Sequence, residues 1–269
     1  MDKSEFKLLA ITTIVLGFCF SFRDWGISQF NMGVGIRNFI LATILVAISI
    51  GIHEIVHKRF AKKYDATVKF KTWNSLLFAA LLITILTNGY IIFAAVWVVV
   101  ISSKYVLRPK HKFPHMGPWE RAKIAAVGPF SNFILALIAG ILAIKTGAFV
   151  WHKLMVINFW LTTMNLFPFF RVIPLTMMVG QGDVRAMTHK LKKVVWHKND
   201  IPYMEGEMIY FGSRLLGTFL LTLTIITAIL TVYFNRIFLA LSMGILGSII
   251  MFFVIYHYLE PKHSRGVGK

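Results

Sequence analysis

The sequence predicts an all-α, polytopic integral membrane protein with about six transmembrane helices plus one re-entrant hairpin, and three observations carry that prediction. Hydrophobic residues make up 57% of the 269, and the mean hydropathy is +0.69, against an apolar share of roughly 45–50% in soluble domains. Apolar runs recur at lengths close to the ~20 residues that cross a bilayer. Lys and Arg gather in alternate connections, as cytoplasmic loops require.

The elements follow in order. The first run, Leu8–Phe22, comes after Lys3 and Lys7, but "CFSFRDWG" is a poor small-residue cleavage site, so the run is expected to remain as a span. Phe39–Val56 is the second span. Leu76–Ile101 lies between two basic loops, 58–71 and 104–123, each with six Lys/Arg. It must therefore enter and leave on one side, and "TNGY" at Thr87–Tyr90 supplies a polar, glycine-containing turn at its middle. Ile124–Ile144, Leu154–Phe170, Ile209–Phe234 and Ile237–Tyr258 complete the set. Loop 171–208 again holds six Lys/Arg, whereas 23–37 holds only Arg23 and Arg37, 145–153 only Lys145 and Lys153, and 234–236 only Arg236. Both termini are thus expected in the cytoplasm, with the protein in the plasma (cytoplasmic) membrane. No charged stretch is long enough to build its own core, so one membrane domain is expected over 1–269.

The formal net charge of +18 suggests a phosphate footprint only when read alone. Basic cytoplasmic loops account for it, and no nucleic-acid partner is expected. The single cysteine, Cys19, sits in an apolar run. Neither a disulfide framework nor a thiolate metal site is available, so any metal must be held by His, Asp or Glu.

Ionisable groups at the end of the second span need a reason, because charge within a membrane is costly. "GIHEIVHKRF", residues 51–60, supplies one. On a helix His53 and His57 share a face, four residues apart, with Glu54 beside them. This is the H-E-x-x-H arrangement, in which two neutral imidazoles bind Zn²⁺ and the glutamate takes a proton from the attacking water. A solvated basic run beginning at His57 explains "KRFAKKY" but not the paired histidines with Glu54 between them. Hydrolytic zinc usually has three protein ligands, and acidic residues are scarce: five Asp and six Glu in the whole chain.

Four blocks resemble the site-2 protease family of intramembrane zinc metalloproteases, especially its compact archaeal and bacterial members. "HEIVHKRFAKKYD" is similar to the metal-binding helix with its basic exit, and "NGYIIFAAVWVVVI" to the loop that re-enters after it. "AKIAAVGPFSNFILAL", with Gly128, Pro129 and Asn132, is similar to the family's G-P-x-x-N stretch, and "NFWLTTMNLFP", with Asn165 and Pro168, to the N-x-x-P before the third ligand. The resemblance covers about residues 36–215, as the core of the domain, and leaves 171–208 as a cytoplasmic insertion. It implies one Zn²⁺ per chain, Glu54 as general base, and Asn132, Asn165 and Pro168 in substrate positioning. Helix packing is the competing role for Asn132, and a satisfied kink for Asn165 and Pro168.

The family places an Asp-Gly pair shortly after N-x-x-P, and this chain has no Asp-Gly. Two residues can replace that aspartate. Asp183, in "GQGD", keeps the residue type beside two glycines, and Glu205, in "IPYMEGEMIYFGSR", keeps the following glycine and the start of the next helix. Glutamate serves in hydrolytic zinc sites, which favours Glu205. His111 and His115 are spaced like a second pair, but the prolines at 109, 114 and 118 break any helix that would align them.

The expected function is zinc-dependent endopeptidase action on a membrane-spanning protein near the cytoplasmic leaflet of the lipid bilayer. A divalent-metal transporter is the alternative from another class, and an inactive relative acting as a membrane scaffold is the third reading.

Overall fold

The long apolar runs fold into helices whose ends are marked by local chemistry. The computed structural model describes residues 3–25, 30–72, 74–103, 105–108, 111–114, 116–168 and 204–259. Helix α1 spans Lys3–Ser21 and α2 spans Met32–Ala61. Asn31 caps α2, its side-chain oxygen accepting the Val34 N–H at 3.1 Å. Helix α4, Pro118–Thr146, begins on a proline and ends at Gly147 with φ +64°, a backbone conformation that costs glycine little. Helix α5 spans Phe149–Leu166, α6 Glu205–Gly212, α7 Arg214–Phe234 and α8 Ile237–Val254.

Among the described residues, five helical segments are long and apolar enough to cross a membrane: those of α1, α2, α4, α7 and α8. The remaining expected span, Leu154–Phe170, corresponds to α5, which is not among them. His152, Lys153, Asn158 and Asn165 lower its apolarity. Protein satisfies two of these: Lys153 pairs with Asp24, and Asn158 donates to the Ser49 hydroxyl at 2.9 Å and the Leu154 carbonyl at 2.8 Å. Packed against α2, α4 and α7, α5 does not need a fully lipid-compatible surface.

The segment expected to re-enter differs from a helical hairpin in its second limb. It leaves along α3, Asn74–Leu86, and turns at Asn88 (φ +50°) and Gly89 (φ +73°). It returns as strand β2, Trp97–Ser103, antiparallel to β1, Ala66–Thr72, in a register from Ala66↔Ser103 to Thr72↔Trp97. The β-branched run "VVVI" fits a pleated sheet better than a helix. Strand β1 alternates buried and exposed residues through Phe70, while Trp97–Ile101 of β2 is buried throughout. A second hairpin joins β3, Tyr105–Arg108, to β4, His111–Pro114. His111 therefore lies on a strand, and His115 is outside the described residues.

The expected span Ile209–Phe234 is also divided. Helix α6 stops at Gly212, and Ser213 starts α7 by accepting the Leu216 N–H at 3.1 Å. Glu205 to Glu207, expected within the insertion 171–208, form the first turn of α6, which packs on α4, α5 and α7. The rest of that insertion through 203, including Asp183, lies outside the described residues.

Candidate metal centre

Three elements bring their polar residues to one point. Helix α2 runs on to Ala61, so His53, Glu54 and His57 fall inside its last turns. Their spacing places the two imidazole centroids 4.8 Å apart. Glu205 opens α6, and its Oε1 lies 2.8 Å from His53 Nε2 and 3.4 Å from His57 Nε2. The third element is β2, whose first residue, Trp97, donates its indole N–H to the same Oε1 at 3.3 Å and sets its ring edge-on to His53.

One ligand atom from each of His53, His57 and Glu205 lies within 4.8 Å of the others, close enough to form a metal site. The relative exposures are 0% for both histidines and 2% for Glu54 and Glu205. Glu205 lies on α6, outside the five spanning segments. Burial pushes its carboxyl up, but the facing imidazoles of His53 and His57 outweigh that and hold it at about 2. It is a carboxylate at neutral pH.

The residues fit a divalent cation. Among the described residues, neither oxygen of Glu54, nor Glu205 Oε2, nor His57 Nδ1 has a hydrogen-bond partner, and His57 Nε2 has only the 3.4 Å approach of Glu205 Oε1. Each buried polar atom left unpaired costs about 1–3 kcal/mol, and a cation held by imidazole and carboxylate offsets such a cost. The space is shaped as well as polar. A β-carbon at Gly128 of α4 would collide with Nε2 of both His53 and His57, so only glycine leaves that face of the imidazoles open. Two His and one Glu are a donor set of hydrolytic zinc.

Of the three other sequence candidates, Asn132 touches the cluster, while Asn165 and Pro168 lie at the end of α5. Asn132, one helical turn beyond Gly128, is fully buried, with Nδ2 3.2 Å from His53 Nδ1. Asn165 is buried near the end of α5, and its Nδ2 has no partner among the described residues. Pro168 follows the C-cap of that helix, Phe167. A β-carbon at Gly206 would strike the Phe167 carbonyl and lie 2.7 Å from that of Leu166. The glycine after Glu205 thus lets α6 dock on the N-x-x-P turn. Trp97 was not foreseen in this role: a tryptophan inside an apolar run reads as core, and only its indole N–H, which needs an acceptor when buried, hinted otherwise.

Peptidase family M50 matches the chain over residues 41–148. A protein of the archaeon Methanocaldococcus jannaschii, provisionally named zinc metalloprotease MJ0611, is 27% identical over 169 residues, 60% of this chain and 75% of its own length. No solved structure matches. The matched segment includes His53, Glu54 and His57 of α2, and these likenesses, together with the cluster of His53, His57 and Glu205, support a zinc-dependent metallopeptidase.

Proposed function

We propose that the protein is an intramembrane zinc metalloendopeptidase that cuts membrane-spanning proteins near the cytoplasmic leaflet. In this reading the whole chain is one catalytic membrane domain with cytoplasmic termini in the plasma membrane. The observation that carries the reading is the buried convergence of His53, His57 and Glu205, with both oxygens of the neighbouring Glu54 left without a hydrogen-bond partner among the described residues.

His53, His57 and Glu205 would hold the metal. Zinc in such a site supplies Lewis acidity toward the scissile carbonyl and acidifies water. Glu54, adjacent to His53 in sequence and buried with it near the end of α2, takes the proton of the attacking water and returns it to the leaving amine. Burial of these groups keeps bulk water away and strengthens each electrostatic contact. A transmembrane substrate must first unwind, because its carbonyls are tied up in intrahelical bonds. Strand β2 belongs to a two-stranded sheet and pairs only with β1 among the described residues. Its other edge can receive an unwound segment by strand addition. Asn165 and Pro168, beside the start of α6, would help hold that segment extended.

A divalent-metal carrier would require further ligands along a path through the bilayer. His53, His57 and Glu205 form the one such cluster among the described residues. The test is Glu54→Gln in purified full-length protein. It should retain stoichiometric zinc and lose cleavage of a transmembrane reporter by at least about 100-fold, in line with the loss of a positioned acid–base group. Undiminished cleavage overturns the assignment of Glu54.

A further inference from the structure

Asn132 is a polar residue that the chemistry above leaves unexplained. Its side chain is fully buried on α4, its Nδ2 lies 3.2 Å from His53 Nδ1, and its Oδ1 has no partner among the described residues. The opposite ring nitrogen of His53, Nε2, faces Glu205 Oε1 at 2.8 Å. A neutral imidazole carries one proton, so the atom on Nδ1 decides what Nε2 can do.

The two orientations of the amide belong to the two tautomers. With Nδ2 donating to Nδ1, the imidazole proton sits on Nε2 and is given to Glu205. With the amide turned by half a rotation, Oδ1 accepts the proton of Nδ1, and the Nε2 lone pair is directed at the space between Glu205 and His57. Only the second arrangement lets His53 act as a ligand through the nitrogen that points into the cluster. Each orientation leaves one amide atom without a described partner, Oδ1 in the first and Nδ2 in the second, so ligation by His53 is what distinguishes them.

We propose that Asn132 is a positioning residue for the metal, accepting the His53 Nδ1–H through Oδ1 and so fixing the tautomer that presents Nε2. The proposal rests on the metallopeptidase reading. Metal-bound histidines characteristically donate their second nitrogen to a carbonyl or carboxylate, and loss of that acceptor costs about 10–100-fold in metal affinity. The helix-packing role of "GPFSN" is then divided: Gly128 gives room and Asn132 gives polarity.

The test uses full-length protein in detergent with cobalt as the probe, read by its visible absorption and by competition with zinc. Asn132→Asp offers acceptor oxygens only, and should bind within about threefold of wild type; Asn132→Ala and Asn132→Leu should bind about 10–100-fold more weakly. Affinity in Asn132→Asp as poor as in Asn132→Ala would make the amide a donor and overturn the proposal. Wild-type affinity in Asn132→Ala would overturn it too. Should the variants not fold, ¹⁵N spectra of histidine in zinc-loaded wild type decide: a protonated Nδ1 on His53 is expected, and a protonated Nε2 refutes the assignment. Wild-type protein that takes up no stoichiometric cobalt or zinc overturns the metallopeptidase reading itself. That result is distinct from wild type binding and the variants matching it.

Discussion

A single missing methyl group decides whether the imidazoles have an open face. At Gly128 a β-carbon has nowhere to go, because the atoms it meets are two ring nitrogens held by α2 rather than the ends of flexible chains. Gly128→Ala improves helix propensity yet overpacks the centre, and a destabilisation of about 1–3 kcal/mol is expected. Zinc affinity should fall at least about tenfold, by analogy with the loss of a group supporting a ligand. Zinc titration and thermal unfolding together check this, and wild-type affinity in the variant would show that the imidazoles do not bind on that face. The His–Glu–His spacing was legible in the sequence because it is local to one helix turn. The contacts of Asn132 and Trp97 were not, since each joins positions tens of residues apart.

Helix α6 is short, and its eight residues owe their placement to neighbours more than to propensity. Its first turn rests on the end of α5 through Gly206, and Ser213 separates it from α7. Gly206→Ala should lift Glu205 away from the histidines, leaving zinc binding close to that of Glu205→Ala. Ser213→Ala should cost only about 1 kcal/mol, the ordinary value of an N-cap, with zinc affinity unchanged. Equal zinc affinities in Gly206→Ala and wild type would sink the view that this glycine sets the position of Glu205. The sequence hinted at α6 through the glycine following Glu205, but the break at Ser213 was hidden inside a continuous apolar run. Strand β2 was hidden the same way. An apolar run with two buried faces has no alternation to distinguish strand from helix, and only its β-branched content pointed to the strand.

For the molecule as a whole, the hairpin of α3 and β2 makes a topological demand. The register brings Trp97 opposite Thr72, so the segment comes back to where it departed. Residues before and after it should therefore share one side of the membrane. Cys19 is buried and leaves little background for thiol labelling. Lys63→Cys and Trp119→Cys should both react with an impermeant maleimide from the cytoplasm and not from outside. Labelling of the second from outside would mean that the segment crosses once. The long apolar helices were readable from runs of hydropathy, but α5 shows the limit of that signal. An inner helix is permitted polar residues that an outer one is not, and composition alone does not tell inner from outer.

The separation in sequence between His53 and Glu205 has a consequence for a chain still being made. The two are 152 positions apart, and at roughly 5–20 residues per second the ribosome needs about 8–30 s to travel from one to the other. During that interval the histidines have been made and the carboxylate does not yet exist. The cluster of His53, His57 and Glu205 can therefore assemble only after most of the polypeptide has been made.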